Sequence, residues 1–219
     1  MEVKICGIRD GLTAHVAAEA GAEALGFVFA ESPRRIDPVE AARIAAELDP
    51  AVTRVAVFRH PSAREVDSLL EVFPADIVQT EPGPGMDAAL ARGVRVLPVL
   101  HDGEDSLEIT DSTAGEPRSV LLEAAGVGGR GIRPDWDRAA KVARRLRLVL
   151  AGGLTPDNVR DAIRHVAPAA VDVSSGVESS PGVKDPERIR AFLLAAHSRQ
   201  TAGPIVGTGI RTVFERAPR

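Results

Sequence analysis

One cysteine stands in the 219 residues, Cys6, so no disulfide can form within the chain and a disulfide-stapled fold is excluded. No apolar run approaches the roughly 20 residues that a membrane-spanning helix needs, and the first residues lack the charged-then-apolar pattern of a secretory signal. A cytoplasmic setting with no membrane partner is the expectation. An excess of positive charge is missing as well. The 27 basic residues are outnumbered by 31 acidic ones and are scattered along the chain, which excludes the electrostatic footprint of nucleic-acid binding. Small anionic molecules, held by local charges, stay open as ligands.

What is present is a repeat. Short runs rich in Val, Ile and Leu are each followed by Gly, Pro or Ser and then by a segment with helical spacing of Ala and Leu. Strands are predicted at 2–6, 24–29, 53–58, 76–79, 94–100, 118–123, 147–151 and 170–174, and helices at 11–20, 38–48, 62–73, 85–92, 137–145, 156–166 and 186–197. Pro38, Pro61, Pro156 and Pro186 fall where helices should begin, a place that needs no backbone donor. Residues 101–117, acidic and rich in Ser and Thr, read as a loop or a degenerate helix. Eight strands of nearly continuous apolar character imply a parallel sheet covered on both faces. Closing eight βα units gives a single-domain (β/α)8 TIM barrel over residues 1–197, with an open doubly wound sheet as the rival. Residues 198–219 fall outside the repeat and are expected to be a flexible or loosely docked extension.

In a barrel the C-terminal ends of all the strands share one mouth, so residues far apart in sequence become neighbours there. Cys6 ends the first strand. A lone buried Cys is ordinarily a small core hydrophobe, but at a strand end a thiol with positive charge beside it can act as a base. Arg34 and Arg35 follow the second strand, in a loop where a guanidinium can grip a carboxylate with two parallel bonds. Gly152 and Gly153 after the seventh strand, with Ser174, Ser175 and Gly176 after the eighth, leave backbone N–H groups open to an anion. Barrels commonly hold phosphate in that position. Gly129 and its neighbours after the sixth strand offer a third set of amides. Asp172 sits where strand alternation turns it into the barrel, and a buried carboxylate needs a bonded partner. Glu123 ends the sixth strand as either an ordinary loop acid or a general acid.

The stretches KICGI at 4–8, GFVFAESPRRIDP at 26–38, GGRG at 128–131, LAGGLTPDNV at 150–159 and VDVSSGVESSPGVKD at 171–185 together resemble the phosphoribosylanthranilate isomerase family. The resemblance extends to about residue 197. It implies a (β/α)8 barrel that converts N-(5-phosphoribosyl)anthranilate, a phosphorylated sugar substrate, by an Amadori rearrangement to 1-(2-carboxyphenylamino)-1-deoxyribulose 5-phosphate. No metal or organic cofactor is implied, and a monomer or homodimer is expected. By the same resemblance Cys6 is the general base at C2 of the sugar, and the carboxylate after the sixth strand is the acid that opens the ring. Arg34 matches the position that binds the anthranilate carboxylate, and the loops 152–154 and 174–176 would hold the phosphate.

Departures from the family pattern cluster after strands four and six. The acid is Glu123 where the family has Asp. Gln79 is kept, but Thr80, Glu81 and Pro82 replace Leu-His-Gly, and an acid at 81 is expected to point away unless the substrate differs. Arg130 replaces a small hydroxyl residue and can add a phosphate contact or receive a second anion. Three functions therefore stand side by side: the tryptophan-pathway isomerase, an Amadori isomerase of another N-ribosyl amine phosphate, and a non-catalytic phosphosugar-binding protein.

Overall fold

The computed structural model describes residues 1–103, 119–124, 132–198 and 212–214. Its strands are β1 (Glu2–Cys6), β2 (Ala24–Val28), β3 (Thr53–Val57), β4 (Ile77–Thr80), β5 (Arg95–His101), β6 (Ser119–Glu123), β7 (Arg147–Leu150) and β8 (Ala170–Val173). All eight pair in parallel and in sequence order, and β1 pairs with β8 to close the barrel. The closed sheet rules out the open doubly wound rival. Residues 104–118, most of the segment read as a loop or degenerate helix, lie outside the described residues.

Between the strands run α1 (Gly11–Glu19), α2 (Pro38–Ala46), α3 (Ala63–Leu70), α4 (Pro84–Ala91), α5 (Trp136–Ala143), α6 (Val159–Val166) and α7 (Pro186–His197). Pro38 and Pro186 occupy the first helical position behind the capping carboxylates Asp37 and Asp185, as expected of a residue with no N–H to lose. Pro61 and Pro156 do not. Ser62 and Glu65 form a reciprocal capping box, so α3 starts beyond Pro61; the side-chain amide of Asn158 ties the turn after Pro156, so α6 starts at Val159.

Strand alternation sorts the core into two layers. Val3, Ile5, Leu25, Phe27, Val78, Leu122, Leu148 and Val171 face outward against buried residues of the helices, such as Ile44, Val66, Val142 and Phe192. Ala24, Val55, Ile77, Leu97, Leu121, Val149 and Ala170 fill the interior. On β1 the same alternation turns Glu2, Lys4 and Cys6 inward.

The extension contributes to this interior. Val213 and Phe214 are buried among the inner residues at the N-terminal ends of the strands, where they floor the barrel. Their N–H groups donate to the Glu2 carboxylate at 2.6 and 3.0 Å. Arg95 donates to the Val213 carbonyl at 2.7 Å, and the Thr53 hydroxyl donates to that of Phe214. Strand-end polar groups thus satisfy the backbone that enters the apolar floor.

Candidate active site at the C-terminal mouth of the barrel

The opposite face holds a cleft of about 680 Å³ lined by Cys6, Arg34, Gln79, Glu123, Asp172, Ser174 and Ser175. Seven candidates chosen from five separate stretches of sequence meet there because the strands that carry them all end at this mouth. Gly129 and Arg130 lie outside the described residues.

Gly152 and Gly153 do not line the cleft wall but form the turn behind it, with φ of 91° and 60° that disfavour side chains. A Cβ on Gly176 would fall only 1.8 Å from the Leu154 carbonyl oxygen, so the turns after β7 and β8 touch, and only glycine permits it. Residues 175–177 form a single 3-10 turn. The first amides of such a turn have no acceptor within it.

Cys6 is buried, and burial holds its thiol above the usual range, against the downward pull of the nearby Lys4 and Lys184 ammoniums and with a further upward push from the Asp172 carboxylate. Lys4 has no exposed surface, and its Nζ lies 2.9 Å from Asp172 Oδ1. The inward turn of Asp172 therefore ends on a buried ammonium. Burial disfavours the charge on Lys4, but the Asp172 carboxylate outweighs it and holds the ammonium above its ordinary range.

Arg34 grips Glu178 through Nε and one Nη, both at 2.8 Å, and Lys184 bonds the same carboxylate at 2.7 Å. Burial works against the charged Glu178, but these bonds prevail and hold its carboxyl below the usual range. Arg34 also packs along Gly7, where a Cβ would come within 2.8 Å of its stem. The guanidinium is thereby fixed in plane at the cleft edge. Arg35 lies over a separate depression with Phe58 and Arg64.

On the far side, burial pushes the Glu123 carboxyl up, opposed by His101. His101 stands between two acids: its Nδ1 is 3.6 Å from Glu123 Oε1 and its Nε2 is 3.5 Å from Glu81 Oε1. Glu81 does not point away from the cleft, contrary to expectation. It lines the wall, buried, and accepts from the His60 N–H at 3.2 Å. An imidazole and a backbone donor supply what an acid there needs. The buried Gln79 Oε1 and Thr80 Oγ1 have no hydrogen-bond partner among the described residues, and Gln79 faces the cleft.

Sequence reasoning passed over Lys4, His101, Glu178 and Lys184. For Lys4 a signal was present: a lysine in an apolar strand, two residues before Cys6 and so on the same face. His101 ends an apolar strand as Glu123 does and could have been found by that signal, whereas Glu178 and Lys184 sit in polar surroundings that mark nothing locally.

Residues 3–195 match the family model described as N-(5'-phosphoribosyl)anthranilate (PRA) isomerase. The N-(5'-phosphoribosyl)anthranilate isomerase of Citrifermentans bemidjiense is 44% identical, with 89% of this chain and 96% of that protein covered. A phosphoribosyl anthranilate isomerase solved with reduced 1-(o-carboxyphenylamino)-1-deoxyribulose 5-phosphate is 35% identical, with 90% of this chain and 98% of that chain covered and a TM-score of 0.76. Monomers generated from the dimeric enzyme of Thermotoga maritima give 34% identity, the same coverages and a TM-score of 0.76.

Proposed function

Since the chain belongs to the N-(5'-phosphoribosyl)anthranilate isomerase family, we propose that Cys6 and Glu123 are the base and the acid with which it runs that family's reaction. The activity is an aldose-to-ketose isomerisation in tryptophan biosynthesis. What is proposed is the division of labour among this chain's residues.

Glu123 gives its proton to the furanose ring oxygen as the bond from that oxygen to C1 breaks, leaving an iminium between C1 and the anthranilate nitrogen. The iminium acidifies the proton on C2, and the Cys6 thiolate removes it. The resulting enolamine becomes the ketone as C1 gains a proton and the C2 hydroxyl loses one, an exchange that in sum returns Glu123 to its acid form and Cys6 to its thiolate. One group must hold a proton and the other must lack one, and separate strands keep them from neutralising each other. Arg34, held flat by Glu178 at the cleft edge, meets the aglycone carboxylate. The Gln79 carboxamide oxygen accepts from a sugar hydroxyl, which would complete a buried acceptor. The touching turns at 152–154 and 174–176 receive the phosphate on backbone N–H groups, with Gly129 and Arg130 as further contacts. A phosphorylated substrate that does not cross membranes fits a cytoplasmic setting.

The observation that carries this reading is one cleft with a buried thiol beside ammonium groups on one wall and an upward-shifted carboxyl on the other. The test is turnover of freshly made phosphoribosylanthranilate. Cys6→Ser and Glu123→Gln should each lower kcat by about 100-fold or more with KM little changed. An unchanged kcat in either variant removes that residue from its role.

A further inference from the structure

Lys4 does nothing in the reaction as described, yet it is the largest fully buried side chain with a charge. A lysine closed inside a barrel needs a reason, because an apolar pair of similar volume would serve packing as well as Lys4 and Asp172 do. Its position supplies one. The point where a Cβ on Gly26 would sit lies 3.0 Å from Cys6 Sγ and 3.1 Å from Lys4 Nζ, so both atoms crowd into the space that glycine leaves open. The ammonium and the sulfur act on each other directly, the ammonium favouring the ionised thiol.

The donors of the two buried lysines are used differently. Lys184 spends its Nζ on Glu178 Oε1, the Ser174 carbonyl and the Ser174 hydroxyl. Lys4 Nζ has one oxygen partner among the described residues, Asp172 Oδ1, and an ammonium has three N–H groups. The charges around Cys6 point the same way. Lys4 on β1, Lys184 on the short β10 (Val183–Lys184) and Arg34 after β2 face Asp172 on β8 and Glu178 on β9 (Glu178–Ser180), three cations against two anions. Glu123, His101, Glu81 and Arg59 lie further across the mouth. Burial holds the thiol up and Lys4 is the strongest of the charges that oppose it, so the ionised sulfur depends on that ammonium.

We propose that Lys4, locked by Asp172, is the counter-ion and positioning residue of the Cys6 thiolate, touching no substrate and moving no proton. Asp172 then acts on Lys4 by holding its ammonium against the sulfur. The proposal rests on Cys6 being the base, but it is read from the sulfur itself.

The chain has one cysteine and no tyrosine, so the ultraviolet absorbance that grows as a thiol ionises reports Cys6 alone, free of tyrosinate. In Lys4→Met the titration should move to higher pH, and alkylation of Cys6 by iodoacetamide at neutral pH should slow about tenfold or more. kcat should fall with KM little changed and recover partly in alkaline buffer, which a packing defect would not do. Lys4→Arg should keep the parent titration. Lys4→Met leaves Asp172 unpaired, so Gly26→Ala serves if that variant does not fold: it keeps every charge but drives a methyl against both sulfur and ammonium, and should also move the titration upward. An unmoved Cys6 titration in folded Lys4→Met or in folded Gly26→Ala overturns the proposal. Full activity in Cys6→Ser would instead remove the base assignment and leave the titration result standing.

Discussion

Glu123 carries its carboxyl one methylene farther from the backbone than an aspartate would, and His101 stands 3.6 Å from it with Glu81 on the other side. The residues that replace the family pattern on strands four and six are therefore in contact through an imidazole on strand five. Glu123→Asp should withdraw the carboxyl by about 1 Å and lower kcat about tenfold or more in a steady-state assay, because the surroundings are built to the longer side chain. The same carboxyl gives a pH test. Its folded pKa is raised, so its contribution favours the fold when protonated, is full below the unfolded pKa and is lost as pH rises through the folded one. Glu123→Gln should accordingly melt above the parent at about pH 7 and converge with it near about pH 4. Glu178 has the opposite sign. Its folded pKa is depressed, so its stabilisation is present above the unfolded value of 4.5 and is lost as pH falls through the folded one. Glu178→Gln should be less stable by about 3 kcal/mol in neutral denaturant titrations, with the gap closing in acid. Glu123 was legible as a candidate because it ends an apolar run, as its histidine neighbour does; that the two meet was not, since nothing local in residues 95–101 says what lies across the barrel.

At the scale of elements, the strand and helix pattern was readable because burial on both faces leaves nearly continuous apolar runs and turns carry Gly or Pro. Pro61 and Pro156 misplaced two helix starts because Ser62 and Asn158 provide side-chain hydrogen bonds that shift where the helix begins. The two glycine turns were readable as an anion site, but not as a single surface. Gly176→Ala would push a methyl into the Leu154 carbonyl and part the turns, and should raise KM for the phosphorylated substrate at least about tenfold. The extension shows the reverse case. Its Gly and Pro content suggested loose docking, yet Val213 and Phe214 enter the floor with their backbone bonded to Glu2, Thr53 and Arg95. Phe214→Ala should lower unfolding free energy by about 3–5 kcal/mol while leaving kcat unchanged, since floor and mouth are opposite ends of the barrel.

At the scale of the molecule, closure gives the barrel its two faces, with the cleft at one end and the floor at the other. The reduced product analogue should raise the melting temperature of the parent as its concentration exceeds Kd, and should do so less in Gly176→Ala at equal concentration. The chain should also rescue growth of a tryptophan auxotroph that lacks this isomerase. The sequence by itself determined the eight strands, the seven helices between them and the inward turn of Asp172, because apolar periodicity and turn residues act over a few positions of chain. Only the tertiary structure decided that Lys4 meets Asp172 and Cys6, that Arg34 is held by Glu178, that His101 bridges two acids and that Phe214 closes the floor. Lys4 and Asp172 are 168 positions apart, and Phe214 and the Glu2 that holds it are 212. Their geometry comes into being when β1 reaches β8, and no local pattern records which charge will find which partner across the closed barrel.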